Sequence, residues 1–421
     1  MKSFFLCIIY CLLSILLIGC SAVRQIEDNS NILSDQSEHF SDDESETENS
    51  SDASQTEDAI KAQIEKMTLK EKIGQMVMVG LEGYTVDDKA QVFIDDYKVG
   101  GFILFGKNIK NTEQLLDLTN ELKLKNKNNS IPLFLSIDEE GGRISRLPSE
   151  LKKMPSNRIV GSKDDPNLSY KIGITIAKQI SSLGFNMNFA PVMDIDSNPA
   201  NPVIGDRSFG PDEKIVSELG TQTMKGMMSK DIVPVVKHFP GHGDTLEDSH
   251  LGLPTVKKSL QQLLEFEIVP FEKAVNSGAD AVMVAHILYE KIDAEYPSTL
   301  SKNIIDGILR KRLRFDGLVI TDDMTMGAIT KNFDIARAAI LSINAGSDIV
   351  LVCHGYDNGA KVLNAVKQAV EKGEISEERI NQSMYRILKI KNKYKLSDEK
   401  IESINISDIN KEADKILDYF S

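Results

Sequence analysis

The stretch IVPVVKHFPGHGDTLEDSH, residues 232–250, begins as one kind of segment and ends as another. Ile232–Val236 is short, apolar and valine-rich, which suits a strand buried on both faces of a parallel sheet. Lys237 and His238 follow at once, and then a polar loop broken by Pro240, Gly241 and Gly243. In a parallel barrel, a buried strand that ends in polar side chains and an irregular loop marks the open mouth.

The same pattern recurs along the chain. Apolar runs stand at Met76–Val79, Gly101–Phe105, Leu133–Ile137, Phe185–Ala190, Ala281–Ala285, Gly317–Ile320 and Asp348–Val352, making eight with Ile232–Val236. Amphipathic stretches separate them: Thr112–Leu124, Leu168–Leu183, Lys214–Lys230, Leu260–Ser277 and Ala336–Ala345. Strands alternating with helices predict a parallel sheet, and eight of them fit an α/β fold of the (β/α)8 TIM-barrel type. A doubly wound sheet is the alternative, but no run is followed by a Gly-x-Gly-x-x-Gly turn. Gly359–Lys372 and Ser376–Lys395 also read as helices. The tail beyond Ser397 spaces Ile401, Ile404, Ile409, Ile416 and Leu417 among charges, as helices packed on the barrel would. The barrel and its helical tail are thus expected to fill residues 58–421.

Polar residues close several of the runs. Asp138, Asn188, Lys237-His238, His286, Asp322 and His354 all lie at or just past a strand end. A barrel would bring them to one face although they are far apart in sequence.

The chain ahead of residue 58 has a different character. An uncharged apolar run from Ser3 to Gly19 follows Lys2, shorter than a spanning helix and typical of a signal segment. It ends in Leu17-Ile18-Gly19-Cys20, which resembles the lipobox of bacterial lipoproteins. Residues 1–19 are therefore expected to be a lipoprotein signal peptide, Cys20 the lipidated residue, and the mature protein an extracytoplasmic one held to the membrane by its lipid. Residues 20–57 are expected to be a disordered acidic tether rich in Ser, Asp and Glu. Most of the formal charge of −14 sits there: residues 21–60 hold twelve acids against one base, Arg24. The remainder is nearly balanced and has no basic stripe, so no nucleic-acid partner is expected. Removal of the signal would leave Cys20 and Cys353, and no internal disulfide.

Residues 237–250 hold three of the six histidines and three acids, Asp244, Glu247 and Asp248. His238 and His242 have the spacing of a helical metal pair, but Pro240, Gly241 and Gly243 argue against a helix, and no metal or other cofactor is expected. Asp248-Ser249-His250 suits proton transfer, since a carboxylate can orient an imidazole that both donates and accepts near neutral pH. The glycines would let this loop fold over a ligand.

Lys237–His250 resembles the signature of the β-N-acetylglucosaminidases of glycoside hydrolase family 3. Further motifs in the same order strengthen the likeness: Ile137-Asp-Glu-Glu-Gly-Gly-Arg-Ile-Ser-Arg146, Val203-Ile-Gly-Asp-Arg-Ser-Phe209, Pro297-Ser-Thr-Leu-Ser301 and Ile320-Thr-Asp-Asp-Met-Thr-Met326. The resemblance implies the same barrel and a retaining exo-enzyme that removes terminal, non-reducing β-linked N-acetylglucosamine, with cell-wall peptidoglycan fragments the expected source. It assigns Asp322 as nucleophile, with Asp323 a rival that strand alternation should turn away, and His250 as acid/base with Asp248 as its partner. It places Asp138, Arg146, Arg207, Lys237 and His238 around the sugar. His286 could touch ligand or support the pocket. With no tryptophan in the chain, a small pocket for one sugar is expected rather than a long cleft. Two alternatives stay open: a phosphorylase passing the sugar to phosphate, and a non-catalytic sugar-binding lipoprotein.

Overall fold

Eight strands bear out the eight apolar runs: β1 Val77–Gly80, β2 Gly101–Leu104, β3 Phe134–Ile137, β4 Met187–Asn188, β5 Val233–Phe239, β6 Ala281–Val284, β7 Leu318–Thr321 and β8 Val350–Val352. In this computed structural model each pairs in parallel with its neighbour in sequence, and β8 returns to β1 through Val77–Val350 and Val79–Val352. A parallel bridge between Ile320 and Ile349 joins β7 to β8 and closes the ring. Helices cover the outside, among them Thr112–Asn126, Pro166–Ser182, Glu213–Met228, Ile335–Ala345 and Tyr356–Glu371. This is an α/β barrel of the TIM type. Strand residues such as Met78, Phe102, Phe134 and Val235 are wholly buried, as a sheet sealed on both faces requires.

The structure describes residues 45–421, with side chains from residue 55; the expected signal peptide, Cys20 and the expected tether as far as residue 44 lie outside the described residues. A helix runs from Ser45 to Lys66 and so begins within the stretch assigned to the tether. Its C-terminal half buries Ile60 and Ile64, one turn apart on a single face, and that apolar contact supports helix where charge alone suggests none. Residues 53–421 form one unit. Among the described residues no helix is long and apolar enough to cross a membrane.

One helical reading changes. The expected helix Leu260–Ser277 is two, Leu260–Glu265 and Val269–Asn276, because Pro270 fits only a first turn and restarts the helix there. Between β6 and β7 lies a π-helix, Asn303–Arg312, where Gly307 and the β-branched pair Ile304-Ile305 weaken the helical signal. At the tail, Ile406–Leu417 is helical, and Glu412 meets Lys178 of Pro166–Ser182 at 2.5 Å.

Candidate active site

The strand C-termini open into a cavity of about 310 Å³, and seven of the eight proposed site residues line it: Asp138, Arg146, Arg207, Lys237, His238, His250 and Asp322. Asp248 stands behind His250. Chain direction accounts for the gathering, since parallel strands deliver all their C-terminal residues to one mouth.

One wall is a chain of alternating charge. Lys237 Nζ donates to Asp138 Oδ1 at 2.6 Å and reaches Glu140 Oε1 at 2.8 Å. Arg207 grips both oxygens of Glu140, at 2.7 and 2.8 Å, and its Nη2 lies 3.3 Å from His238 Nε2. His238 Nδ1 in turn lies 2.6 Å from Asp194 Oδ2. Burial opposes ionisation of Glu140, but Arg207 and Lys237 outweigh it and hold the carboxyl far below its usual range. Burial likewise opposes the charge on Asp194, and His238 with the His242 N–H overcomes it. Burial would strip the proton from Lys237, yet Asp138 and Glu140 keep it charged. Pairing between β5 and β6 slips between Val236 and Phe239, and such a bulge re-aims side chains, so Lys237 and His238 both face the cavity. Arg146 has no side-chain partner among the described residues and presents a free guanidinium.

The loop after β5 supplies a further part of the lining. His250 Nδ1 sits 2.8 Å from Asp248 Oδ1, which also accepts the His250 N–H at 2.9 Å, so the pair is locked and Nε2 is left free. Burial opposes the charge on Asp248, but both contacts with His250 hold its carboxyl below the ordinary value. The imidazole itself is 65% exposed.

Asp322 and Asp323 both line the cavity, contrary to the expectation from strand alternation, because β7 ends at Thr321 and both lie beyond its pleat. Their bonding separates them. Asp323 spends Oδ1 on the N–H groups of Thr325 and Cys353 and Oδ2 on the Thr325 hydroxyl, all within 2.9 Å. Asp322 accepts one bond, from the Asp323 N–H at 2.8 Å, and its remaining lone pairs face the cavity. Burial would raise its pKa, but His286, His238, that N–H and His250 hold the carboxylate ionised. His286 proves to be a support: wholly buried, it lies 2.7 Å from Thr299 Oγ1 and 2.9 Å from the Asp323 carbonyl. Asn188 also supports, exchanging two 2.9 Å bonds with the Glu139 backbone and so tying β3 to β4.

Glu140 and Asp194 escaped the sequence reading as site residues. Asp194 carried a signal, an acid set between the apolar Met193 and Ile195 a few residues past a strand. Glu140 was masked by Glu139 beside it. His238 and His242, the metal-like pair, are committed to other partners, with rings 5.9 Å apart and at 74°.

A closed barrel whose mouth gathers the Asp322 carboxylate and the His250–Asp248 pair defines a (β/α)8 enzyme with its site at the barrel mouth. Residues 68–390 match the model of the glycosyl hydrolase family 3 N-terminal domain, and the chain belongs to that family. Beta-hexosaminidase A of Pseudoalteromonas piscicida is 32% identical over 367 residues, covering 78% of this chain and 61% of that protein. The chain thus spans about three fifths of that relative. The beta-hexosaminidase of Hydrogenovibrio crunogenus is 35% identical, covering 72% of this chain and 85% of that one. Among solved structures, the family 3 β-N-acetylglucosaminidase of Paenibacillus sp. FPU-7 superposes with a TM-score of 0.77 at 39% identity, over 83% of this chain and 68% of that one.

Proposed function

We propose that this family 3 protein is a retaining exo-β-N-acetylglucosaminidase. The observation that carries the reading is the division of labour between neighbouring aspartates: Asp323 is consumed by internal bonds, while Asp322 turns open lone pairs toward the cavity that His250 also lines. In the first step an Asp322 oxygen bonds to the anomeric carbon as that carbon's bond to the leaving oxygen breaks. The bonding pair stays on the leaving oxygen, which takes the proton from His250 Nε2. In the second step water gives its proton to His250 and its oxygen to the anomeric carbon, and Asp322 departs as carboxylate. Asp138 accepts from sugar hydroxyls, while Lys237, Arg207 and Arg146 donate to hydroxyl and acetamido oxygens. Relatives named beta-hexosaminidase support this substrate class.

The N-terminal apolar run and its lipobox-like end support export and anchoring through Cys20, which would place the enzyme among cell-wall fragments as substrate. Asp322→Asn should abolish turnover of an aryl β-N-acetylglucosaminide while thermal unfolding stays put. Retained turnover refutes the nucleophile. In His250→Ala, intact-mass spectrometry should catch the protein carrying one N-acetylhexosaminyl unit, on the peptide containing Asp322.

A further inference from the structure

The loop bearing His250 is held at its root and again at its tip, and the tip rests on the segment that follows Asp322. At the root, Asp194 Oδ1 accepts the His242 N–H at 2.7 Å, and the Asn201 amide donates to the carbonyls of His242 and Gly243 at 2.8 and 3.1 Å. The buried His242 ring bridges to the tip. Burial and the neighbouring His238 push its pKa down to about 4, so it is neutral, with one donor and one acceptor nitrogen. The ring Nδ1 lies 2.8 Å from Thr245 Oγ1, which also lies 3.0 Å from the His242 carbonyl oxygen. The ring Nε2 lies 3.1 Å from Ser249 Oγ, a hydrogen bond that joins root to tip.

At the tip, Gly327 and Ala328 donate their N–H groups to the carbonyls of His250 and Ser249, at 3.2 and 3.0 Å. Lys331 Nζ donates to the Leu251 carbonyl at 2.7 Å. Little apolar burial helps: Leu246 and Leu251 are 70% and 69% exposed. These few bonds therefore set where His250 stands. Gly327 opens the helical turn Gly327–Thr330, a conformation any residue can adopt. Yet a Cβ there would stand 2.5 Å from the His250 carbonyl oxygen. Glycine is required by the contact, not by the backbone.

We propose that Gly327 and Ala328 form the dock for the acid/base loop, with Gly327 and the Ser249–His242 latch as positioning residues that set His250 against the leaving-group side of the cavity. The same element thereby fixes both halves of the reaction, carrying Asp322 at its start and seating His250 five residues later. The proposal rests on the reading of His250 as acid/base.

Three variants test it: Gly327→Ala, Ser249→Ala, and Ser249→Thr as the conservative rescue. Each is assayed on N,N′-diacetylchitobiose, whose leaving group needs a proton, and on the dinitrophenyl glycoside, whose leaving group does not. Gly327→Ala and Ser249→Ala should lose at least about tenfold more kcat/KM on the disaccharide than on the aryl substrate, within the range general acid catalysis supplies. Ser249→Thr should restore the ratio. Equal losses on both substrates, or none, overturn the proposal. Amide hydrogen exchange over residues 242–251 gives a readout free of catalysis. It should quicken in both disrupting variants, and unchanged exchange overturns the dock whatever the kinetics. If His250→Ala itself fails to discriminate the substrates while the loop still loosens, the acid/base reading has failed and the dock stands.

Discussion

Glu140 clasps the guanidinium of Arg207 through both carboxylate oxygens while also receiving the ammonium of Lys237, and almost none of it meets solvent. Two cations that would otherwise repel in a closed space are thereby set side by side, aimed at the cavity. Glu140→Gln removes the negative charge, leaving Arg207 without its carboxylate and Lys237 with Asp138 alone. Breaking a buried pair in this way costs about 3 kcal/mol. The variant should lose that much in urea unfolding, and its KM should rise more than its kcat falls, because the residue acts on binding through Arg207 and Lys237.

Asp248 and His250 make a two-part proton device, and its parts should fail in a graded way. His250→Ala should slow a disaccharide by about a hundredfold or more and a dinitrophenyl glycoside far less in the bond-breaking step. Asp248→Asn keeps an acceptor oxygen for the ring but not the charge that steadies the imidazolium. The same substrate preference should appear, with a smaller loss. Steady-state rates on both substrates check it, and equal losses would remove His250 as the acid.

The barrel was legible because its signals are local: eight short apolar runs, each followed by polar residues, need only their own windows to be recognised. Asp138, Lys237, His238 and Asp322 stood out for the same reason, since a charge at the end of a buried strand is conspicuous. The missing parts depend on partners distant in the chain. Nothing near Glu140 indicates that Arg207 will reach it, and nothing near Gly327 announces the carbonyl of His250. The rivalry of Asp322 and Asp323 was settled by bonding to Thr325 and Cys353, which strand periodicity does not encode.

Water, not phosphate, should be the acceptor. A phosphate dianion needs cations that are not already neutralised, yet Lys237 is shared by Asp138 and Glu140, and Arg207 is bound twice by Glu140. Arg146 is the one cavity-lining cation without an internal partner among the described residues. With phosphate present, chromatography of the products should show free N-acetylglucosamine. Predominance of the 1-phosphate would reverse the assignment.

Glu139 should give the protein a stability penalty at alkaline pH. The side chain is wholly buried, with Oε2 accepting the Arg146 N–H at 2.8 Å, and among the described residues it makes no ion pair, Lys153 acting on it only through its field. Burial pushes its pKa from 4.5 up to about 7, with that N–H opposing. The folded state therefore keeps a proton that the unfolded chain releases above pH 4.5. Stability from this group is present at low pH and falls as pH rises through 7, by on the order of 3 kcal/mol. His242 works in the opposite sense, since its folded pKa near 4 makes stability rise with pH up to its unfolded value of 6.5. The parent profile is thus a composite, and the informative quantity is the difference from Glu139→Gln, which mimics the protonated acid. In urea unfolding the variant should match the parent near pH 4.5 and exceed it at pH 8. A constant difference across that range would mean that Glu139 does not change its charge on folding.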